Sequence, residues 1–208
     1  MQALIETYTK SKDVAWASFN TPCSVNELTL FCQDIERLFR INPMLNFRKW
    51  QMLDNQCYHF AGQNISQEEP FDFDLVMHVS SIGNGIKIEY HQGLKARTFF
   101  IIEPAETQTK QSAKLTIIDD YSAVSKKIRK QQLHTVDKSI AIWADHIQSY
   151  LLSWKRWSHI WLWRWYMIKI WQPMRPSGRR ILYILLWVAV LEVLLILLGA
   201  AIYYLEYR

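Results

Sequence analysis

Glycine and proline are scarce, six of each in 208 residues, and cysteine is scarcer still at three. So little of either excludes a collagen-like or low-complexity chain. Cys23, Cys32 and Cys57 are odd in number and form no CxxC pair, so neither a disulfide framework nor a zinc site is indicated, and small buried thiols are expected. No GxGxxG, phosphate loop or GxSxG elbow occurs; the nearest glycine cluster, Gly83-Asn84-Gly85, reads as a turn. The histidines His59, His78, His91, His134, His146 and His159 show no HExxH and no paired metal spacing. No metal, nucleotide or cofactor is therefore expected. Asp72 and Asp74 fall on the polar face of a strand, Asp119 and Asp120 end another beside a loop, and both pairs read as solvated. Glu89 and His91 should face away from any interior, leaving no acid or base for catalysis. The sequence reads as a non-enzyme.

Acidic residues are nearly missing from one stretch. Residues 1–121 carry 11 Lys/Arg against 15 Asp/Glu, residues 122–180 carry 12 against 2, and residues 181–208 carry 1 against 2. Basic charge directly before an apolar run reads as membrane orientation, so no nucleic-acid partner is expected. From Ile181 to Leu205, 25 residues hold one charge, Glu192. At about 1.5 Å per residue the run reaches roughly 37 Å, enough to cross a hydrocarbon core with some tilt. Arg175, Arg179 and Arg180 precede it, and Tyr203, Tyr204 and Tyr207 form an aromatic belt at its end. No basic segment followed by an apolar stretch opens the sequence. The expected topology is single-pass and tail-anchored, with the amino-terminal domain cytoplasmic and a bacterial inner membrane as the location. Glu192, costly if it faces lipid, should contact a membrane-protein partner or a second copy, or be protonated and bonded within its own or a sister helix. Gly199, Ala200 and Ala201 would permit close helix approach.

Eight of the ten tryptophans lie between Trp143 and Trp187. Residues 154–174 carry Lys155, Arg156, Arg164 and Lys169, too many charges to span. They predict a helix lying on the bilayer surface, with Trp157, Trp161, Trp165, Arg179 and Arg180 touching lipid or a partner protein. In the competing reading the tryptophans pack on another subunit. Pro173, Pro176 and Gly178 should break this helix before the span. The expected organisation is a head over residues 1–154, an interfacial segment over 155–180 and a transmembrane helix over 181–205.

Across the head the dominant period is two. Residues 13–20 read as a strand, and in the next clear one Phe71, Phe73, Leu75, Met77 and Val79 oppose Asp72, Asp74 and His78. Ile86, Ile88 and Tyr90 oppose Lys87, Glu89 and His91 after the glycine turn. Residues 45–53 and 56–63 flank Asp54-Asn55 as a hairpin, and strands follow near 95–103 and 112–119. Phe99, Phe100, Ile101 and Ile102 leave the inward face of the first of these open. Ser24 with Glu27 forms a capping-box pattern before Leu28, Phe31 and Cys32, and Asp34 opens a second short helix that must stop by Asn42, ahead of Pro43. Leu133, Val136, Ile140, Ala144, Ile147, Leu151 and Trp154 recur at spacings of three and four, predicting a long helix.

The order of one strand, two short helices, a run of antiparallel strands and a long helix gives an α+β class. With SVNELTLFCQDIERLFRINPMLNFRKW, Ser24 to Trp50, it resembles the START-like (SRPBCC) helix-grip superfamily over roughly residues 13–154. The resemblance implies a curved sheet gripped by the long helix. It also implies a relation to lipid and sterol carriers, coenzyme Q-binding proteins and polyketide cyclases. A cavity between such a sheet and helix is the usual form of a small-molecule site. Its expected liners are Phe73, Leu75, Met77, Ile86, Ile88, Tyr90, Leu115, Ile117, Ile140, Ala144 and Ile147, which would equally well fill an ordinary core. Two functions follow as expectations. The first is a membrane-tethered protein binding or presenting a hydrophobic ligand (a lipid, quinone or isoprenoid); the second is an accessory or assembly subunit of a membrane complex. A cyclase-like enzyme is a weaker third.

Overall fold

The computed structural model describes residues 13–105, 112–122 and 138–207. Strand β1 (Val14–Thr21) leads into α1 (Val25–Gln33) and α2 (Ile35–Arg40). Six strands follow: β2 (Leu45–Asp54), β3 (Cys57–Asn64), β4 (Phe71–Ser81), β5 (Gly85–Tyr90), β6 (Arg97–Pro104) and β7 (Ala113–Asp120). Helix α3 (Ile140–Trp157) then leads to α4 (Trp161–Tyr166), a π-helical turn (Met167–Trp171) and α5 (Pro176–Glu206). All strands join one antiparallel sheet in the order β1-β7-β6-β5-β4-β3-β2. This is the helix-grip arrangement: a curved sheet with helices on its inner face.

The short helices form for the reasons their sequence states. Ser24 accepts from the Glu27 amide while the Glu27 carboxylate accepts from the Ser24 amide, satisfying two orphan donors of α1. Asp34 accepts from the Arg37 amide at the start of α2. Their apolar faces, with Leu28, Cys32 and Leu38 fully buried, share one core with Trp143, Ala144, Ile147 and Leu151 of α3 and with the inner sheet face, and Phe31 and Phe39 meet the rings of Tyr150 and Trp143. Helix α3 begins at Ile140, not further back; Leu133 and Val136 lie outside the described residues. Trp143 and Tyr150, not named in the expected stripe but three residues after Ile140 and Ile147, are buried too, and the Trp143 indole donates to the Leu38 carbonyl at 2.9 Å.

The open question of β6 has a two-sided answer. Phe100 and Ile102 enter the main core, while Phe99 and Ile101 join Ile118, Val14 and Ile82 in a second cluster on the opposite face. A strand buried on both faces shows no alternation in its sequence.

The tryptophan-rich segment differs from the single surface helix expected of it. Helix α3 runs on to Trp157, the chain turns, and α4 passes into the π turn, where the Gln172 amide reaches the Met167 carbonyl at 3.0 Å. One side of this segment, Trp154, Trp163, Tyr166, Met167 and Trp171, packs on the head core. Trp157, Trp161 and Trp165 point outward. The cause is geometric: the π turn and the break after Trp157 bring large rings from several turns onto one side, which a uniform 100° plot cannot show. Pro176 sits in the first turn of α5, as its missing donor allows, and Gly178 lies within that helix and not in the break. Helix α5 is long and apolar enough to cross a membrane, and the apolar window within it makes no buried contact.

Candidate functional site

Strand β4 is paired unequally on its two sides. It follows β3 from Phe71 to His78 but meets β5 only from Met77 to Ser81. Below Met77 the sheet parts, and the β5–β6 connection, Gln92 to Lys95, stands across the gap. The last tie between the two sides is the His91 amide donating to the Val76 carbonyl at 3.0 Å. Gly93 holds φ at +101°, a left-handed value that favours glycine, and a β-carbon there would lie 3.3 Å from Leu75 Cδ2.

Behind this gap lies a cavity of about 380 Å³, within the range of small-molecule sites. Phe39, Leu45, Phe60, Phe73 and Leu75 give it an aromatic and aliphatic wall; Tyr90, Gln92, Lys95, Asn64 and Tyr121 add polar groups. Phe60 touches Phe39 and Phe73 with ring centroids 5.7 and 5.6 Å apart, so the wall is rigid aromatic packing.

The polar end is built across three neighbouring strands. Thr98 and Asp119 are direct partners in the β6–β7 register. The Thr98 hydroxyl donates to Asp119 Oδ1 at 2.5 Å, and Lys95 Nζ reaches Asp119 Oδ2 at 2.7 Å. Because the single Thr98 proton is committed to that carboxylate, the Tyr90 hydroxyl is the donor in the 3.1 Å bond to Thr98 Oγ1. The Lys95 ammonium also lies 5.9 Å from the centroid of the Tyr90 ring. Thr98 and Asp119 are 0% and 1% exposed.

Asp119 and Asp120 are thus not solvated strand ends; both are buried. Asp119 shares the inner face with Ile117, and its counter-ion arrives from a connection 24 positions earlier in the chain, a pairing no local pattern displays. Asp72 and Asp74 do face outward, at the cavity rim, paired with Arg48 and with His59 respectively.

Of the expected liners, Phe73, Leu75 and Tyr90 border the cavity. Met77, Ile86, Ile88, Leu115, Ile117, Ala144 and Ile147 lie in the close-packed core, and Ile140 packs at its edge. Helix α3 covers the sheet there too tightly to leave space, so the opening sits at the sheet's parting instead. Phe39, Phe60 and Lys95 also border the cavity without standing among the expected liners, and Thr98 and Asp119 bond to its lining residues Tyr90 and Lys95 without lining it. The one available signal was the polar pair Thr98 and Asp119 at otherwise inward-facing positions.

Of the expected membrane contacts, Trp157, Trp161, Trp165, Arg180 and Glu192 are exposed. Arg179 turns back on the head. Its guanidinium donates to the Arg40 carbonyl at 2.7 Å and to those of Trp171 and Gln172 at 3.0 Å each, and it stacks 3.8 Å over the Trp171 ring. A planar cation with five donors suits this bridging role. Among the described residues no group of three or more His, Cys, Asp or Glu could hold a metal ion.

No family model matches the sequence, and no curated protein matches it. Solved structures do. An aromatase/cyclase from a Streptomyces species is 9% identical with a TM-score of 0.49, covering 69% of this chain and 95% of its own. A START superfamily protein from Mycobacterium smegmatis is 14% identical with a TM-score of 0.45, covering 67% of this chain and 97% of its own. A conserved protein from Geobacillus kaustophilus is 11% identical with a TM-score of 0.44, covering 68% and 96%.

Proposed function

We propose that this chain is a membrane-tethered, non-catalytic protein whose head binds a hydrophobic small molecule at the cytoplasmic membrane surface. The observation that carries the reading is the cavity of about 380 Å³ behind the parted sheet, walled by Phe39, Phe60, Phe73 and Leu75. Packing elsewhere in the head is dense, so a space of this size, open where the sheet parts, is room that a ligand could fill. The tether supports the same reading. Helix α5 could span the bilayer from residue 181 onward, leaving its first turn with Arg179 fastened to the head. The outward Trp157, Trp161 and Trp165, mixed with Arg156 and Arg164, suit the headgroup boundary. A head fixed there would meet membrane-dissolved ligand at high effective concentration.

The test is to isolate the full-length protein gently and analyse its organic extract by mass spectrometry beside Leu75→Trp. A stoichiometric apolar compound in the wild-type extract, depleted in the variant, is expected. Equal extracts, both containing only bulk lipid, would contradict the proposal.

A second reading, an accessory subunit of a membrane complex, is favoured by one observation: Glu192 stands exposed within α5, with no ion pair or hydrogen bond to its side chain among the described residues. Under this reading Glu192→Leu abolishes co-purification of a membrane partner while leaving the head folded.

A further inference from the structure

A second recess, of about 360 Å³, lies at the β2 edge of the sheet and shares only Asp72 with the cavity. One wall is a rung across three strands, Asn46 opposite Gln63 and Gln63 opposite Asp72, with Arg48 beside it. The other wall is the start of α5, through Arg175 and Ser177. Arg179 holds the two walls in place, because its guanidinium binds the Arg40 carbonyl of the head and the Trp171 and Gln172 carbonyls just ahead of α5.

Charge in this recess is unbalanced. Arg48 is paired with Asp72, whereas no ion pair or hydrogen bond engages the Arg175 side chain among the described residues. Only the Arg175 backbone is used, its carbonyl accepting from the Arg179 amide at 3.1 Å. One guanidinium therefore keeps its donors, beside the Ser177 hydroxyl and the side-chain amides of Asn46 and Gln63. Such a set suits phosphate oxygens, which accept from the planar fork two bonds at a time. Depth selects the source of the phosphate. Ser177 and Arg175 precede Ile181, where the apolar run begins, by four and six residues, about 6–9 Å along a helix axis. The polar layer of a bilayer is roughly 5–8 Å thick on each side. A chain that enters the hydrocarbon at Ile181 thus carries the recess at the level of the lipid phosphates.

We infer that this recess binds the phosphodiester of a bilayer phospholipid, with Arg175 as its counter-charge and Ser177, Asn46 and Gln63 as further donors. The inference rests on α5 spanning the bilayer, and not on what the cavity holds.

Native mass spectrometry of the full-length protein in detergent micelles tests it. The probe is dioleoyl phosphatidylglycerol, and the reference is dioleoylglycerol, which has the same chains and no phosphate. Arg175→Gln is expected to weaken binding of the first phosphatidylglycerol about tenfold, the loss of a charge-assisted hydrogen bond at the weaker end of its range. Arg180→Gln, which removes an equal charge outside the recess, is expected to leave that binding unchanged, and neither variant should alter binding of dioleoylglycerol. Both side chains are exposed, so loss of folding does not confound the comparison. Equal losses in the two variants would reduce the effect to general charge attraction and overturn the site, as would equal binding by wild type and Arg175→Gln. Displacement of the lipid by inorganic phosphate would assign the recess to a free phosphate and overturn the lipid source. Release of the chain from its own membrane by alkaline carbonate would overturn the span and the site with it. A chain that stays in the membrane but binds the lipid without regard to Arg175 overturns the site alone.

Discussion

Trp143 shows how much one side chain holds in this head. It is 1% exposed, meets Phe39 and Phe100 at ring-centroid distances of 5.1 and 5.3 Å, and donates to the Leu38 carbonyl. Trp143→Phe keeps most of the ring contact but orphans that buried carbonyl, and is expected to cost about 1–3 kcal/mol in thermal or denaturant unfolding. The thiols differ in the same local way. Burial pushes the Cys32 thiol up to about 12 and raises that of Cys23, helped by nearby Glu27, whereas Cys57 is half-buried. Native alkylation followed by peptide mapping should modify Cys57 and spare the other two; rapid labelling of Cys32 would contradict the packing of α1. At this scale the sequence was only partly legible. The inward Phe73, Leu75 and Tyr90 follow from alternation, and Trp143, three residues after Ile140 and four before Ile147, fits the helical spacing although it was not counted in the apolar stripe. Lys95 and Asp119 become partners only through the sheet register.

Elements were more legible than their contacts. The capping box of α1, the hairpin at Asp54-Asn55 and the turn at Gly83 are local signals and stand as read. Ser24→Ala is expected to cost about 1 kcal/mol, read in the unfolding midpoint. Glu27 adds a pH dependence. The Ser24 amide, and then the Lys155 ammonium, hold its carboxyl below the ordinary carboxylate range. A carboxyl lowered in the folded state gives stability that is whole above its unfolded value and fades as pH falls through the lowered one. Stability in acid should therefore drop less for Glu27→Gln than for wild type. The π turn and the Arg179 clamp were illegible, because one depends on a departure from 3.6 periodicity and the other on carbonyls that carry no sequence identity. Arg179→Ala, and equally Arg179→Lys, whose single ammonium cannot reach three carbonyls, should raise hydrogen exchange across residues 167–175 while sparing β5 to β7. Unchanged exchange there would remove the clamp as a structural joint.

For the molecule as a whole, the run of antiparallel strands, the long helix after it and the apolar carboxy-terminal helix were visible from composition and period, because both are averages over many residues; the helix-grip arrangement came from the resemblance that their order carries. The location of the cavity was not visible. It arises where β4 outruns β5, a difference in strand length that appears only once pairing is known. The same parting places the opening opposite Gln92 to Lys95, away from the α3 face, where residues such as Ile117 and Ile147 are packed without a gap. We propose that this opening holds a ligand. This is tested most directly by native mass spectrometry of the full-length chain released from its own membrane. An adduct of one apolar small molecule per chain, absent from Leu75→Trp, is expected. A wild-type head carrying no such adduct, in a preparation that retains co-purifying membrane subunits, would contradict it.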